Sequence, residues 1–151
     1  MHYYFPGMAV GLILLQTAIV APSLFRNLNV DDFGRAIRDL WPKFFLALIA
    51  IGLLSTASLY YEEDAHILHF SIGLTTIVLS AICYLIIPAT NKATDEGNQK
   101  VFSILHRISV TFTLVILILN ISILFIPCNQ CIIQPIFFFI TQNTFFASMR
   151  I

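Results

Sequence analysis

Four long apolar segments separated by polar ones make up most of the chain. Each is about 20 residues long, the length that an α-helix needs to cross a hydrocarbon core of about 30 Å. None contains Asp, Glu, Lys or Arg. The run TLVILIL at 113–119 does not alternate apolar and polar residues as the strands of a membrane barrel do. The pattern therefore predicts an all-α integral membrane protein, a four-transmembrane-helix bundle.

The predicted transmembrane domain covers residues 1–127, with spans at about 4–25, 44–61, 67–87 and 108–126. The first span is expected to be retained, because no Lys or Arg precedes it and no small-x-small cleavage site follows it. The apolar tail, residues 128–151, contains several polar residues and is predicted to be interfacial, with a fifth span as the alternative.

Two long connections carry structure of their own. Apolar residues recur at helical spacing from 29 to 44, and Asn29 is placed to cap a helix, so a short interfacial helix is predicted there. In the second connection, residues 90–100, Gly97 and Asn98 mark a break before a helix that begins near Gln99. Prolines are expected at span ends, where a missing amide donor costs least.

Lys and Arg occur in these two connections and are missing from the N-terminal segment and the 61–66 turn. The residues are Arg26, Arg35, Arg38 and Lys43 in the first connection, and Lys92, Lys100 and Arg107 in the second. Because basic loops stay in the cytoplasm, the N-terminus and the 61–66 turn are expected outside, with both long loops cytoplasmic.

Composition limits the partners. Hydrophobic residues make up 58% of the chain and charged residues 11%, with a mean hydropathy of +0.88, whereas soluble domains contain about 25% charged residues. The lipid bilayer is therefore the expected surrounding. The formal net charge is zero, so nucleic acid, which needs a basic surface, is excluded as a partner.

Small and polar side chains inside the spans suggest how the helices pack. Small residues stand four apart in three spans: Gly7 and Gly11, Gly52 and Thr56, Thr76 and Ser80. Such pairs let helix backbones approach closely, within one bundle, in a homo-oligomer or against another membrane protein. Gln16 and Asn120 are the strongest polar side chains in the spans. They are predicted to form interhelical hydrogen bonds, with the lining of a substrate path as the alternative.

Several segments, APSLFRNL (21–28), FGRAIRDLWPKFF (33–45), LIIP (85–88) and VFSILHRIS (101–109), together with Asp95, resemble the bacterial four-helix membrane family called domain of unknown function 4149. That family is similar to eukaryotic transmembrane protein 205. The matching positions are Pro22, Phe25, Gly34, Pro42, Phe102, His106 and Ser109. The resemblance implies a bacterial inner (plasma) membrane protein without established chemistry and, by analogy with the eukaryotic relative, export or trafficking.

Histidines mark two places. His66 and His69 share a helix face after the acidic residues Glu62, Glu63 and Asp64. They are predicted to be interfacial histidines, and a divalent metal site or haem ligation with His2 is the alternative. His106 lies at the cytoplasmic mouth of the fourth span, where a hydrogen bond is expected to close the inner loops against the bundle.

Cysteines mark a third place. Cys128 and Cys131 form a CxxC pair on the outer side, where a disulfide is the expected state and a redox-active or metal-bound pair the alternative. Cys83 stands alone in the third span and is predicted to be a small buried apolar residue.

No phosphate-binding loop, G-x-S-x-G or HExxH motif stands in a suitable context. The sequence predicts a non-enzymatic structural, partner-binding or stress-related membrane module without a cofactor. The first alternative is a small oligomeric transporter or efflux accessory protein. The second is a metal- or haem-binding membrane redox protein. The sequence identifies no small-molecule substrate.

Overall fold

The computed structural model of the protein describes residues 3–59 and 67–125. Three helical segments follow one another directly: α1 spans Tyr4–Leu14, a π-helical segment spans Leu15–Val20 and α2 spans Ala21–Asn27. The other helices are α3 (Val30–Leu59), α4 (Ile67–Asp95) and α5 (Gln99–Phe125).

Four helices are long and apolar enough to cross a membrane. The continuous helix Tyr4–Asn27 has 24 residues, and α3, α4 and α5 have 30, 29 and 27. Large apolar side chains cover their outer surfaces and are widely exposed, among them Phe25, Leu85 and Phe125. In water such surfaces would aggregate, but in a bilayer they contact acyl chains. The prediction of a four-transmembrane-helix bundle is confirmed, and the chain is a multi-pass membrane protein.

The expected short helix at 29–44 is not a separate element. Residues 30–59 form one helix that continues through Pro42, and α4 likewise continues through Pro88 to Asp95. Proline removes one amide donor, but tertiary contacts on both sides of Pro42 hold the segment in line with the span. Trp41 stacks on His106 in α5 before it, and Phe44 is buried after it.

The helix ends follow the capping residues of the sequence. The Asp32 amide donates to Oδ1 of Asn29 at 2.8 Å, which confirms the predicted cap of α3. After α4, Gly97 has a φ of +66°, and the Asn98 amide donates to the Ala93 carbonyl at 2.8 Å. This left-handed turn ends α4 and reverses the chain. Helix α5 therefore begins at Gln99, as the sequence predicts.

The four spans occupy the corners of a square. Helices α1 and α4 each pack against both α3 and α5. Across the two diagonals, between the described parts of α1 and α4 and of α3 and α5, no Cα atoms lie within 8 Å of each other. Consecutive spans are antiparallel, since Arg38 near the start of α3 contacts Asp95 at the end of α4. We call this end of the bundle, with Arg26, Arg38 and Lys92, the basic end.

Helices α3 and α4 approach closely where two glycines face each other. A Cβ atom on Gly73 would lie 2.6 Å from Oγ1 of Thr56, and one on Gly52 would lie 3.3 Å from the Gly73 carbonyl oxygen. The Thr56 hydroxyl is itself held by donating to the Gly52 carbonyl at 2.9 Å. The Gly52 and Thr56 pair therefore lies in a close helix contact. By contrast, no atom of the described chain lies within 4 Å of a Cβ atom built on Gly7 or Gly11.

We expect Gly73→Ala to lower the free energy of unfolding by about 1–3 kcal/mol, because the new methyl group overlaps Thr56. Gly11→Ala is the matched control, since its methyl group meets open space and is expected to raise stability by up to about 1 kcal/mol. Unfolding in detergent micelles measures both variants. Equal loss of stability in both would contradict the close contact.

Candidate functional site

A cavity of about 390 Å³ lies between the π-helical segment, α3 and α5. Most of its lining is apolar, including the rings of Trp41, Phe44 and Phe45. The polar residues in the lining are Gln16, Thr17, His106, Ser109 and Thr113. An apolar cavity with a few polar groups and a volume of about 300–1,000 Å³ is typical of small-molecule sites.

The π-helical segment explains why the bundle is open here. Within it the hydrogen bonds span five residues, as when the Ala21 amide donates to the Gln16 carbonyl. The next residue, Pro22, has no amide donor. Helix α1 packs against α5, but no Cα atom of Leu15–Val20 lies within 8 Å of α5. The helix thus parts from α5 along this segment, and the cavity fills the gap.

The π-helical segment contributes two polar side chains to the cavity lining, and Gln16 is the more deeply buried of them. It is 9% exposed, yet its amide makes no hydrogen bond to any described residue. The predicted interhelical hydrogen bond of Gln16 is therefore not formed within the described chain. A buried amide without partners costs free energy, and this one has two donors and an acceptor free toward the cavity.

His106 is held between two aromatic rings. It stacks on Trp41 with ring centroids 5.6 Å apart and planes at 10°, and on Phe102 at 5.7 Å and 7°. Its Nδ1 is buried and has no hydrogen-bond partner in the described residues. The expected hydrogen bond of His106 is therefore replaced by stacking, which joins α3 to α5 across the diagonal of the bundle. Trp41, placed by sequence in an interfacial helix, is part of this site.

The two threonines of the lining differ from Gln16 because their hydroxyl protons are already used. Thr17 donates to the Ile13 carbonyl at 2.7 Å, and Thr113 donates to the Ser109 carbonyl at 2.8 Å. The Ser109 side chain is buried and is hydrogen-bonded to the Cys83 thiol of α4. Free hydrogen-bonding capacity in the cavity therefore belongs mainly to Gln16 and His106.

An ion pair lies at the same end of the bundle as His106. Arg38 of α3 contacts Asp95 of α4, and both side chains are partly exposed. Exposed ion pairs stabilise by up to about 1 kcal/mol. This pair therefore fixes the relative position of α3 and α4 more than it stabilises the fold. Lys43 pairs with Asp39 at 2.6 Å within α3. None of these four charged residues lines the cavity.

Asn120 serves helix packing at the other end. Its Nδ2 donates to Thr76 Oγ1 at 3.0 Å and to the Ile116 carbonyl at 2.9 Å, and the residue is 4% exposed. The predicted interhelical hydrogen bond is therefore formed, between α4 and α5. Nearby in the same interface, the Cys83 thiol lies 3.9 Å from the Ser109 carbonyl, and Cys83 is buried as predicted.

The predicted outer sites fall largely outside the described residues. His69 is buried in the first turn of α4, with its ring 6.3 Å from that of Tyr3 at an angle of 67°. The other residues of the two predicted sites lie outside the description: His66, Glu62, Glu63, Asp64, Cys128 and Cys131. In residues 3–59 and 67–125 no three His, Cys, Asp or Glu side chains are grouped to hold a metal. The interfacial role of His66 and His69, with a metal site as its alternative, and the disulfide stay predictions.

The positions that carried the family resemblance fall in two groups. Near the basic end, Phe25 of α2 contacts Phe33 of α3 edge-on, with centroids 5.5 Å apart. Pro22 lies in the first turn of α2, Gly34 and Pro42 lie in α3, and none of these three lines the cavity. The second group, Phe102, His106 and Ser109, builds the cavity wall and the stack described above.

A family model described as Domain of unknown function (DUF4149) matches residues 5–99, which is more than half of the chain. The match includes Pro22, Phe25, Gly34 and Pro42, while Phe102, His106 and Ser109 lie beyond its end. Comparison with curated proteins and comparison with solved structures each give no significant match. The similarity to eukaryotic transmembrane protein 205 therefore stays a prediction.

We expect a double-mutant cycle of Asn120→Leu and Thr76→Val to give a coupling energy of about 0.6 kcal/mol, up to about 1.7 kcal/mol, the range of interhelical hydrogen bonds in membranes. Thr75→Val replaces Thr76→Val in the control cycle, because Thr75 donates to Ser71 of its own helix at 2.7 Å. Unfolding in detergent measures each corner. A coupling of the same size in the control would show that Asn120 and Thr76 are not specifically bonded.

Proposed function

We take as our premise that this chain belongs to the family described as Domain of unknown function (DUF4149), and we propose that it is a non-enzymatic binding module of the bacterial inner membrane. The cavity beside the π-helical segment takes up a small molecule. This makes specific the partner-binding role that the sequence predicts. The transporter and redox alternatives have no specific observation in their favour.

One observation carries this proposal: Gln16 is nine-tenths buried, lines the cavity and has no hydrogen-bond partner among the described residues. Polar groups inside membrane proteins are normally satisfied by neighbouring helices, as Asn120 is by Thr76. A ligand in the cavity supplies the missing partner. The π-helical segment supports the same interpretation, because such segments are frequent at functional sites.

The chemistry of the lining favours binding over catalysis. Among the described residues that line the cavity there is no Asp, Glu, Lys, Arg or Cys. General acid–base catalysis with paired carboxylates, or a nucleophilic thiol or amine, therefore has no candidate residue in the cavity wall. Hydrogen bonds from Gln16 and His106 orient a ligand without such groups.

Charge supports the proposed orientation. The described helices bring the end of α2, the start of α3, the end of α4 and the start of α5 together, and these ends carry Arg26, Arg38, Lys92 and Lys100. By the positive-inside rule the basic end faces the cytoplasm. The cavity, which adjoins Trp41 and His106, then lies in the cytoplasmic half of the bilayer.

We expect alkaline phosphatase fused after Asp64 to be active and the same enzyme fused after Gly97 to be inactive in a bacterial host, because the enzyme is active only outside the cytoplasm. The basic connections keep Gly97 inside. A cytoplasmic reporter, active only inside, serves as the control at the same two positions. Activity of the phosphatase at Gly97 would reverse the proposed orientation.

We expect Thr113→Phe to reduce the amount of small molecule that co-purifies with the protein in nanodiscs by about tenfold or more, since the ring fills the cavity that the bound molecule needs. Thr111→Phe is the matched control, because Thr111 lies two residues away on the exposed surface of α5 and does not line the cavity. Mass spectrometry of extracts compares the variants with the wild type. Equal small-molecule content in all three would contradict the binding function.

A further inference from the structure

We infer that the ligand of this cavity is an uncharged, lipid-soluble quinone or phenol that enters sideways from the bilayer and is oriented by Gln16 and His106. The inference rests on the proposed binding function and adds the chemical class of the ligand and its route.

The route follows from which lining residues also face the bilayer. Val110 and Leu114 line the cavity, and they are 51% and 52% exposed on the outer surface of α5. Thr17, on the opposite wall, is exposed as well. The cavity is thus rimmed by side chains that contact acyl chains in a membrane. A molecule already dissolved in the bilayer reaches it without crossing a polar surface.

The charge of the ligand follows from the lining. Within the described part of the chain, no Asp, Glu, Lys or Arg lines the cavity, and the Arg38 and Asp95 pair outside it is self-compensated. An ionic head group would lose its hydration without gaining an opposite charge, at a cost of several kcal/mol per ion. A phospholipid, whose phosphate is ionised, is therefore a poor occupant of the polar part of this site.

The head group follows from the free hydrogen-bonding atoms. Gln16 offers two amide hydrogens and one carbonyl oxygen, and the imidazole of His106, which also lines the cavity, donates or accepts according to its tautomer. This mixture of donors and acceptors suits the carbonyl oxygens of a quinone and the hydroxyl groups of a phenol or quinol equally well.

The ring follows from the aromatic wall. Trp41, Phe44 and Phe45 line the cavity beside these polar groups, and aromatic rings favour a further planar ring in offset-stacked or edge-on contact, each contact adding about 0.5–1.5 kcal/mol. A planar head with polar oxygens at its rim and an apolar substituent matches each part of the site. An aliphatic alcohol uses only the polar part.

The test uses the fluorescence of Trp41, which is the single tryptophan of the chain and lines the cavity. Decylubiquinone is titrated into the full-length protein in nanodiscs and is expected to quench the emission saturably. Phenyldecane carries a ring and a decyl chain but no oxygen, and it is titrated in competition with decylubiquinone. We expect the affinity of phenyldecane to be lower than that of decylubiquinone by about threefold or more, because phenyldecane forms no hydrogen bond.

Variants identify the polar contacts. Gln16→Leu is expected to weaken decylubiquinone binding by about three- to tenfold, the loss of one hydrogen bond, and to leave competition by phenyldecane unchanged. Gln99→Leu makes the same replacement at the exposed start of α5 and is expected to bind like the wild type. His106→Phe keeps a ring between Trp41 and Phe102 but removes Nδ1, and it tests the same inference if Gln16→Leu does not fold.

The outcomes separate the ligand class from the binding function. Saturable quenching that Gln16→Leu or His106→Phe weakens, and Gln99→Leu does not, supports the inference. Equal affinity for both probes, or no quenching while Thr113→Phe still removes a co-purifying molecule, overturns the quinone or phenol class and leaves the binding function standing. No saturable binding together with equal small-molecule content in Thr113→Phe overturns both.

Discussion

Inside a bilayer no water is present to satisfy backbone amides and carbonyls, so each span must make its own hydrogen bonds. The departures from regular helix in this chain are therefore informative. Pro42 and Pro88 remove single donors without ending their helices. Ahead of Pro22, the hydrogen-bond register itself widens into a π-helical segment. This change of register separates the first span from α5, and the cavity exists because of that separation.

Two kinds of contact hold the remaining helices in place. Small residues let α3 and α4 touch backbone to backbone, with Gly52 and Gly73 facing each other. Larger side chains join the other interfaces, as in the Asn120 hydrogen bond to Thr76 and the stack of Trp41 on His106. The close contact of α3 with α4 forms one side of the four-helix arrangement. The stacked rings of Trp41 and His106 lie at its centre, near the basic end. Asn120, which serves packing, is hydrogen-bonded, whereas Gln16 of the cavity is not.

Much of the fold is predictable from the sequence because length and hydropathy determine the spans. The caps are predictable too, since Asn29 and Gly97 have local preferences that the bundle does not override. The continuity of α3 is not, because the stack of Trp41 on His106, 65 residues further along the chain, outweighs the effect of Pro42. For the site, sequence marks Gln16 and His106 as unusual polar residues. The cavity that both residues line depends on the π-helical hydrogen bonds of Leu15–Val20, and no residue pattern in that segment predicts them.

The π-helical segment also determines how the first span responds to the loss of one residue. It is equivalent to an α-helix that has gained one residue, and each residue turns a helix by about 100°. The wider turns of the segment absorb this extra residue, so α2 keeps the phase of a regular helix and Phe25 faces Phe33. Removing one residue from Leu15–Val20 would let the segment relax to regular α-helix without turning Phe25 away from Phe33. The bulge beside the cavity would be lost, while the entry of the chain into α3 would stay the same.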